Sequence, residues 1–164
     1  LLDSANNQIW KYIRTETGFS EIKNYLTVDT VEDFSSDNKM AINGSVYVSG
    51  GKNIVKFTQG RKEVWQIGES VKDLGNRVLI FTSDLIKDVY ILDMQNNRII
   101  KTDKDGIYLA QYNWEGNLEI TDFMVSQTLG KILFLVNIFR KMKKVRYLHR
   151  QFLNLLFPFV ARND

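Results

Sequence analysis

Cysteine is absent from the 164 residues. Its absence removes disulfides, thiolate nucleophiles and Cys-based metal centres together. It leaves the compartment open, because secreted repeat proteins also dispense with cysteine. A single histidine, His149, rules out a multi-histidine metal site within the chain. One proline argues against a Pro-rich linker. No apolar run reaches the length of a membrane span. The first residue is Leu1 rather than Met, which leaves room for a signal peptide or an anchor upstream.

What is present is ordinary for a globular chain. With 44% apolar and 25% charged residues it is long enough to bury one real core. Its charge is unevenly spread. Residues 1–136 carry 15 Lys and Arg against 18 Asp and Glu, a net −3. Residues 137–164 carry seven against one, a net +6, so body and tail differ in kind.

The body reads as short strands separated by turn chemistry. Met40–Ile42 and Val46–Val48 flank Asn43-Gly44, a hairpin signal because both residues tolerate the positive φ of a type I′ turn. Strands at Ile54–Phe57 and Glu63–Ile67 complete an antiparallel meander of four. The pattern returns at Val78–Thr82, Val89–Asp93, Arg98–Thr102 and Tyr108–Tyr112, and starts again at Ile120–Val125 and Lys131–Val136. Residues 1–27 look like the last three strands of an earlier meander. Aligning Val46-Tyr47-Val48 with Val89-Tyr90-Ile91 gives a period of 43 residues. Residues 1–12, LLDSANNQIWKY, echo residues 91–102, ILDMQNNRIIKT. Four short strands repeating every 40 to 50 residues is the signature of a β-propeller blade. A β-sandwich has no reason to repeat a motif at fixed spacing.

The repeated segment resembles the NHL-repeat family and related six-bladed, lactonase- and TolB-like propellers. In these, two successive strands read roughly apolar-apolar-Asp-x-x-Asn-Asn-Arg-Ile-x-Lys. Here the match is Leu2-Asp3-Ser4-Ala5-Asn6-Asn7-Gln8-Ile9-Trp10-Lys11 and Leu92-Asp93-Met94-Gln95-Asn96-Asn97-Arg98-Ile99-Ile100-Lys101. Gln8 departs from the family's Arg. The middle copy, Ser49-Gly50-Gly51-Lys52-Asn53-Ile54, is two residues shorter. The resemblance covers residues 1 to about 136 and implies an all-β partial propeller, with blades near 1–27, 37–67, 78–112 and 120–136. The motif itself needs no ligand. Asp at a strand end accepts N–H bonds from the turn beyond it, and Asn-Asn tolerates left-handed backbone.

About three blades are fewer than a closed ring needs. An open arc leaves edges to be covered by further blades in cis or by oligomerisation. Composition, charge and period all change near Asn137. Residues 137–164 are therefore read as a basic tail, either out of frame or helical. As a helix, Val145, Leu148, Phe152, Leu155 and Phe159 share one face, Lys141, Lys143, Lys144, Arg146 and Arg150 make it basic, and Pro158 ends it. Such a helix caps an exposed blade face in preference to lying on a membrane.

Catalytic chemistry is hard to find. Gly50-Gly51-Lys52 fails the Walker pattern, since Val46 stands where a Gly is needed and no Ser or Thr follows Lys52. Glu32, Asp33 and Asp37 cluster, but charge clusters are usually solvated. Asp84 with Asp88 and Asp103 with Asp105 are accounted for by turns. Trp10, Trp65, Trp114 and the seven tyrosines are expected to pack between blades. Asn43-Gly44-Ser45 is formally a glycosylation sequon within a tight turn. No catalytic, cofactor-binding or metal-binding residue is assigned.

The resemblance implies a non-catalytic binding or scaffold module, since propellers present variable loops on a rigid frame. In bacterial proteins such propellers often sit behind a signalling or enzymatic domain, so this one is expected to be part of something larger. The alternative is a metal-dependent, lactonase-like hydrolase, and calcium enters only there, with Asp33 and Asp37 as its candidates. Nucleic acid is not expected as a partner, because the body is net negative.

Overall fold

The computed structural model describes residues 1–155 apart from 31, 35–37, 69, 70, 72, 117, 143 and 144, with residues 137–155 described by their backbone. The chain is all-β, a succession of small antiparallel sheets. Strands β1 (Leu2–Asp3), β2 (Gln8–Lys11) and β5 (Lys23–Asn24) form the first sheet, with β3 (Arg14–Thr15) and β4 (Gly18–Phe19) as a small hairpin between them. The second sheet is β6 (Lys39–Ile42), β7 (Val46–Gly50), β8 (Asn53–Thr58) and β9 (Arg61–Glu63). The third is β10 (Val78–Phe81), β11 (Val89–Asp93), β12 (Arg98–Thr102) and β13 (Tyr108–Asn113). The fourth is β14 (Ile120–Ser126), β15 (Lys131–Met142) and β16 (Val145–Leu155). In each sheet the strands neighbour one another in chain order, as in a meander.

Strand alternation decides how the sheets pack, since successive side chains point to opposite faces. On β7, Val46 and Val48 join Ile9, Leu26, Phe34 and Phe57 in one core. Tyr47, between them, joins Trp65, Val78, Ile80, Val89, Ile91 and Ile100 in the next. On β11, Val89 and Ile91 face that second core, while Tyr90 and Leu92 enter a third with Ile99, Trp114, Ile120, Phe123 and Phe134. Three cores thus lie between four successive sheets, and both four-stranded sheets are buried on two faces. This explains the near-continuous apolar run of β11, all five residues of which are buried.

Three expectations are corrected. The fourth strand of the second sheet is Arg61–Glu63, not Glu63–Ile67. Gln59 (φ 52°) and Gly60 (φ 82°) turn the chain within two residues of β8, so the return strand starts early and Trp65 is released into the core. At Asn43-Gly44 only Gly44 (φ 90°) takes positive φ. Ile42 pairs with Val46, so the loop has three residues and Asn43 spends its amide on Thr82 of the next sheet (Nδ2 to Oγ1, 2.9 Å). β15 continues past residue 137, and its ladder with β16 runs from Ile132↔Leu155 to Met142↔Val145. Val145–Leu155 is accordingly strand rather than helix. The open edge of β15 lies directly ahead in the chain, and Val, Tyr, Leu and Phe serve a strand as readily as an amphipathic helix. Lys143, Lys144, Pro158 and Phe159 lie outside the described residues.

Candidate functional site

Glu32 and Asp33 come together with Asn38, Gly50 and Gly51 around a cleft of about 320 Å³ at the end of the second sheet. The Phe34 amide donates to Asn7 Oδ1 (2.8 Å), tying this segment to the first repeat turn. The Glu32 carboxylate pairs with Lys62, so its charge is already answered. Asp33 lines the same cleft, and Asp37 lies outside the described residues. Among the described residues no group of three Asp, Glu or His is placed to hold a metal. A Cβ at Gly50 would lie 2.5 Å from Asn38 Oδ1, so Asn38 fills the space a side chain would need. Gly50 pairs with Asn53 across the β7–β8 turn, so Gly50-Gly51 is a hairpin end.

The Asp-x-x-Asn-Asn motif is turn chemistry at atomic detail. Asp3 Oδ1 accepts the Asn6 amide (3.2 Å) and Asp93 Oδ1 accepts the Asn96 amide (3.4 Å). Asn6 and Asn96 each add a side-chain donor to Oδ2 of the same Asp, at 2.8 Å in both copies. The following Asn7 and Asn97 take φ of 53° and 49°. Ser126 imitates the arrangement, its Oγ accepting the Leu129 amide (3.3 Å) ahead of Gly130 (φ 59°). The departure at Gln8 is compensated locally. Where Arg98 Nε donates to Asp93 Oδ2 (2.9 Å), the Trp10 indole donates to Asp3 Oδ2 (2.9 Å). Those hydrogen bonds, from Trp10 first and then Asn6, hold the Asp3 carboxyl below its usual 3.8.

The most heavily built polar sites lie between sheets. Tyr47 and Lys56 are cross-strand partners on β7 and β8, with the ammonium 5.9 Å from the ring centroid and 3.0 Å from Glu63. Tyr90 and Lys101 repeat this on β11 and β12, again at 5.9 Å, with Asp88 at 2.8 Å as the acid. Asp88 thus does more than close a turn. At the first of these sites the Lys104 carbonyl accepts from the Tyr47 hydroxyl (3.3 Å), Lys56 Nζ (3.3 Å) and Trp65 Nε1 (3.0 Å). The Asp103 carboxylate shapes the turn that presents it, accepting the amides of Asp105 (2.9 Å) and Ile107 (2.8 Å).

Beside it a backbone staple joins the sheets. The Gly68 amide donates to the Gly106 carbonyl (2.9 Å), and one sheet earlier the Thr27 amide donates to the Gly60 carbonyl (3.0 Å). Gly60 and Gly106 both sit in the turn after the third strand of their sheet, with φ of 82° and 90°. Side chains are excluded from both, since a Cβ would lie 2.0 Å from the Tyr25 carbonyl oxygen and 2.1 Å from that of Gln66.

No family model and no curated protein matches the chain. The repeated geometry is thus the main guide to what the chain does. Trp65 and Trp114, each 8% exposed, pack between sheets as expected, whereas Trp10 is only partly buried. Asn43 is buried with its amide nitrogen held by Thr82, so the sequon offers no accessible acceptor. His149 pairs with Ile138 in the β15–β16 ladder. Lys56, Lys101 and the Lys104 carbonyl were not expected from the sequence, where a strand lysine reads as solvent-facing. The one signal was the recurrence of Tyr and Lys at matching strand positions.

These groups set an alkaline limit on the fold. Burial raises the hydroxyls of Tyr47, Tyr90 and Tyr112 above their usual 10.0. Burial alone would lower the Lys56 and Lys101 ammonium groups. The hydrogen bonds to Glu63 and Asp88, with the neighbouring tyrosines, outweigh it and raise both above 10.5. A folded-state pKa above the unfolded value stabilises below the unfolded pKa, and that contribution is lost as pH rises through the folded one. All five groups act in the same direction. Thermal unfolding followed by circular dichroism should show stability falling steadily above pH ~10, with the tyrosines ionising as the fold is lost.

Proposed function

We propose that the chain is a run of β-propeller blades of NHL-like type serving as a non-catalytic binding scaffold within a larger, signalling or sensory assembly. The supporting observation is the staple made twice, Thr27 to Gly60 and Gly68 to Gly106, at the same place in successive sheets. Sheets joined at their third turns, with a separate core between each pair, stack like blades around an axis. β10, the first strand of its sheet, contacts β6 and β7 on one side and β14 on the other, as inner strands of neighbouring blades would. Remaining blades come from the same protein or from further copies. A frame rigidified this way leaves its loops free to vary, and binding is the use that rigid frames with variable loops are put to.

The alternative is a metal-dependent, lactonase-like hydrolase. It needs several carboxylate or amide ligands converging from different blades, and Glu32 is engaged by Lys62. Purified protein assayed against lactones with and without calcium is expected to show no turnover. Calcium-dependent hydrolysis, lost in Asp33→Asn, would overturn the scaffold reading.

A further inference from the structure

The second and third sheets share one register, and the second stops short. Tyr47↔Lys56 on β7 and β8 corresponds to Tyr90↔Lys101 on β11 and β12, and the fourth strands join at Lys56↔Glu63 and Lys101↔Ala110. Beyond that point β13 keeps pairing, with Gln111 on Ile100, Tyr112 on Ile99 and Asn113 on Arg98. The Trp114 amide then donates to the Asn97 carbonyl (3.1 Å). β9 ends at Glu63, so the matching residues Val55, Ile54 and Asn53 have no fourth strand beside them. The chain leaves β8 here because Trp65 is drawn into the core, its indole donating to the Lys104 carbonyl (3.0 Å). A cleft of about 340 Å³ opens in the fork, with Ile54 and Val55 on one wall, Val64, Trp65 and Gln66 on the other, and Glu63 at the apex. The turns at both ends of β8 fix where its main chain points. Gly50↔Asn53 and Thr58↔Arg61 each close a two-residue hairpin, so Asn53, Val55 and Phe57 address β7 and Ile54, Lys56 and Thr58 address the other side. The Ile54 N–H and C=O therefore face the cleft, and among the described residues no backbone group meets them.

We propose that this cleft binds a short extended strand of a partner protein, added antiparallel to β8 opposite Ile54. The occupant takes the place in the second sheet that Gln111–Asn113 hold in the third, and is held in the same way, by main-chain hydrogen bonds to a strand edge. Its central residue exchanges an N–H and a C=O with Ile54. That residue's side chain falls on the face shared by Ile54 and Trp65, so it is apolar, and it is small because the Trp65 ring already fills the core there. Its neighbours fall on the face of Val55. The strand is uncharged, because the ions around the cleft already answer one another. Lys56 pairs with Glu63 (3.0 Å) and Lys62 with Glu32. Docking there also covers Val64, which is 99% exposed.

The site gives the scaffold proposed above one place to hold a partner, but it stands on the registers of two sheets and not on the number of blades. Amide exchange measured by NMR on the full chain tests it first. The Ile99 amide, covered by Tyr112, should exchange slowly and the Ile54 amide fast. Equal protection of the two would mean that the edge is closed, and would overturn the proposal. The probe is the capped peptide acetyl-Ser-Thr-Val-Thr-Ser-amide. Titrating it should shift the Ile54 amide saturably and slow its exchange, while the Ile99 amide stays in place. The same peptide N-methylated at its Val keeps the side chains but loses the central donor, and should bind about tenfold more weakly, the worth of one hydrogen bond. No movement of the Ile54 signal up to millimolar peptide, or equal binding of the methylated form, overturns the proposal. So does an Ile54 shift that depends on protein concentration without peptide, which would make a second copy of the chain the occupant. Each of these outcomes leaves the staples at Gly60 and Gly106, and the scaffold reading that rests on them, untouched.

Discussion

Gly106→Ala should cost the fold about 3 kcal/mol or more, a fall of about 10 °C in melting temperature for a chain of this size. Two effects combine. The residue sits at φ 90°, where an L side chain is strained by about 1–2 kcal/mol. Its Cβ would also meet the Gln66 carbonyl oxygen at 2.1 Å, and a backbone oxygen cannot swing aside as a side chain can. Relief requires the turn to back away, which stretches the Gly68-to-Gly106 hydrogen bond and draws the Lys104 carbonyl from Tyr47, Lys56 and Trp65. Gly116→Ala is the control. It has a similar φ of 86° but nothing within 4 Å of its Cβ, so it should show the conformational cost alone. Differential scanning calorimetry of the two variants isolates the contribution of the joint. Equal losses would mean that the close approach at Gly106 is not a real constraint.

The second large effect is expected at Asp93. Its side chain is fully buried and accepts from the amides of Gly75 (3.2 Å) and Asn96 (3.4 Å), from Asn96 Nδ2 (2.8 Å) and from Arg98 Nε (2.9 Å). Arg98, 12% exposed, reaches on to the Asp73 carbonyl (2.9 Å), so the carboxylate organises both its own turn and the loop before β10. Asp93→Ala removes the negative partner of a buried pair and strands the Gly75 amide, for which about 3–5 kcal/mol is expected. Asp3→Ala deletes the same motif residue where its turn is exposed and should cost much less. Urea unfolding of both variants provides the comparison. A similar loss at the two sites would show that the turn, rather than its burial, carries the energy.

What was legible in the sequence is what local chemistry dictates. β11 and β12 begin and end where Val89–Asp93 and Arg98–Thr102 were expected, because apolar residues enclosed by Asx turns leave little choice of register. The 43-residue period follows from the same local patterns. Gln59-Gly60 escaped because glutamine seldom marks such a turn, and the strand after it was misplaced in consequence. Val145–Leu155 escaped because its apolar positions satisfy two periodicities, and only the edge of β15 chooses between them. The inter-sheet cluster escaped for another reason. Tyr47 and the oxygen it reaches are 57 residues apart, and no pattern in a window of that sequence brings a lysine carbonyl to mind. Glu32 and Asp33 were visible as a charge cluster, but the Lys62 that answers Glu32 comes from the far side of a hairpin.

The joints between sheets have a consequence for how such a protein can drift. At Gly60, Gly106 and Lys104 the receiving groups are all peptide carbonyls, an atom type that every residue supplies. What the neighbouring sheet recognises is the path of the loop and not its side chains. Provided a glycine survives where the two backbones touch, the rest of the loop can be rewritten freely. Two descendants of such a chain could share almost no letters at their joints and still interlock their sheets in the same way.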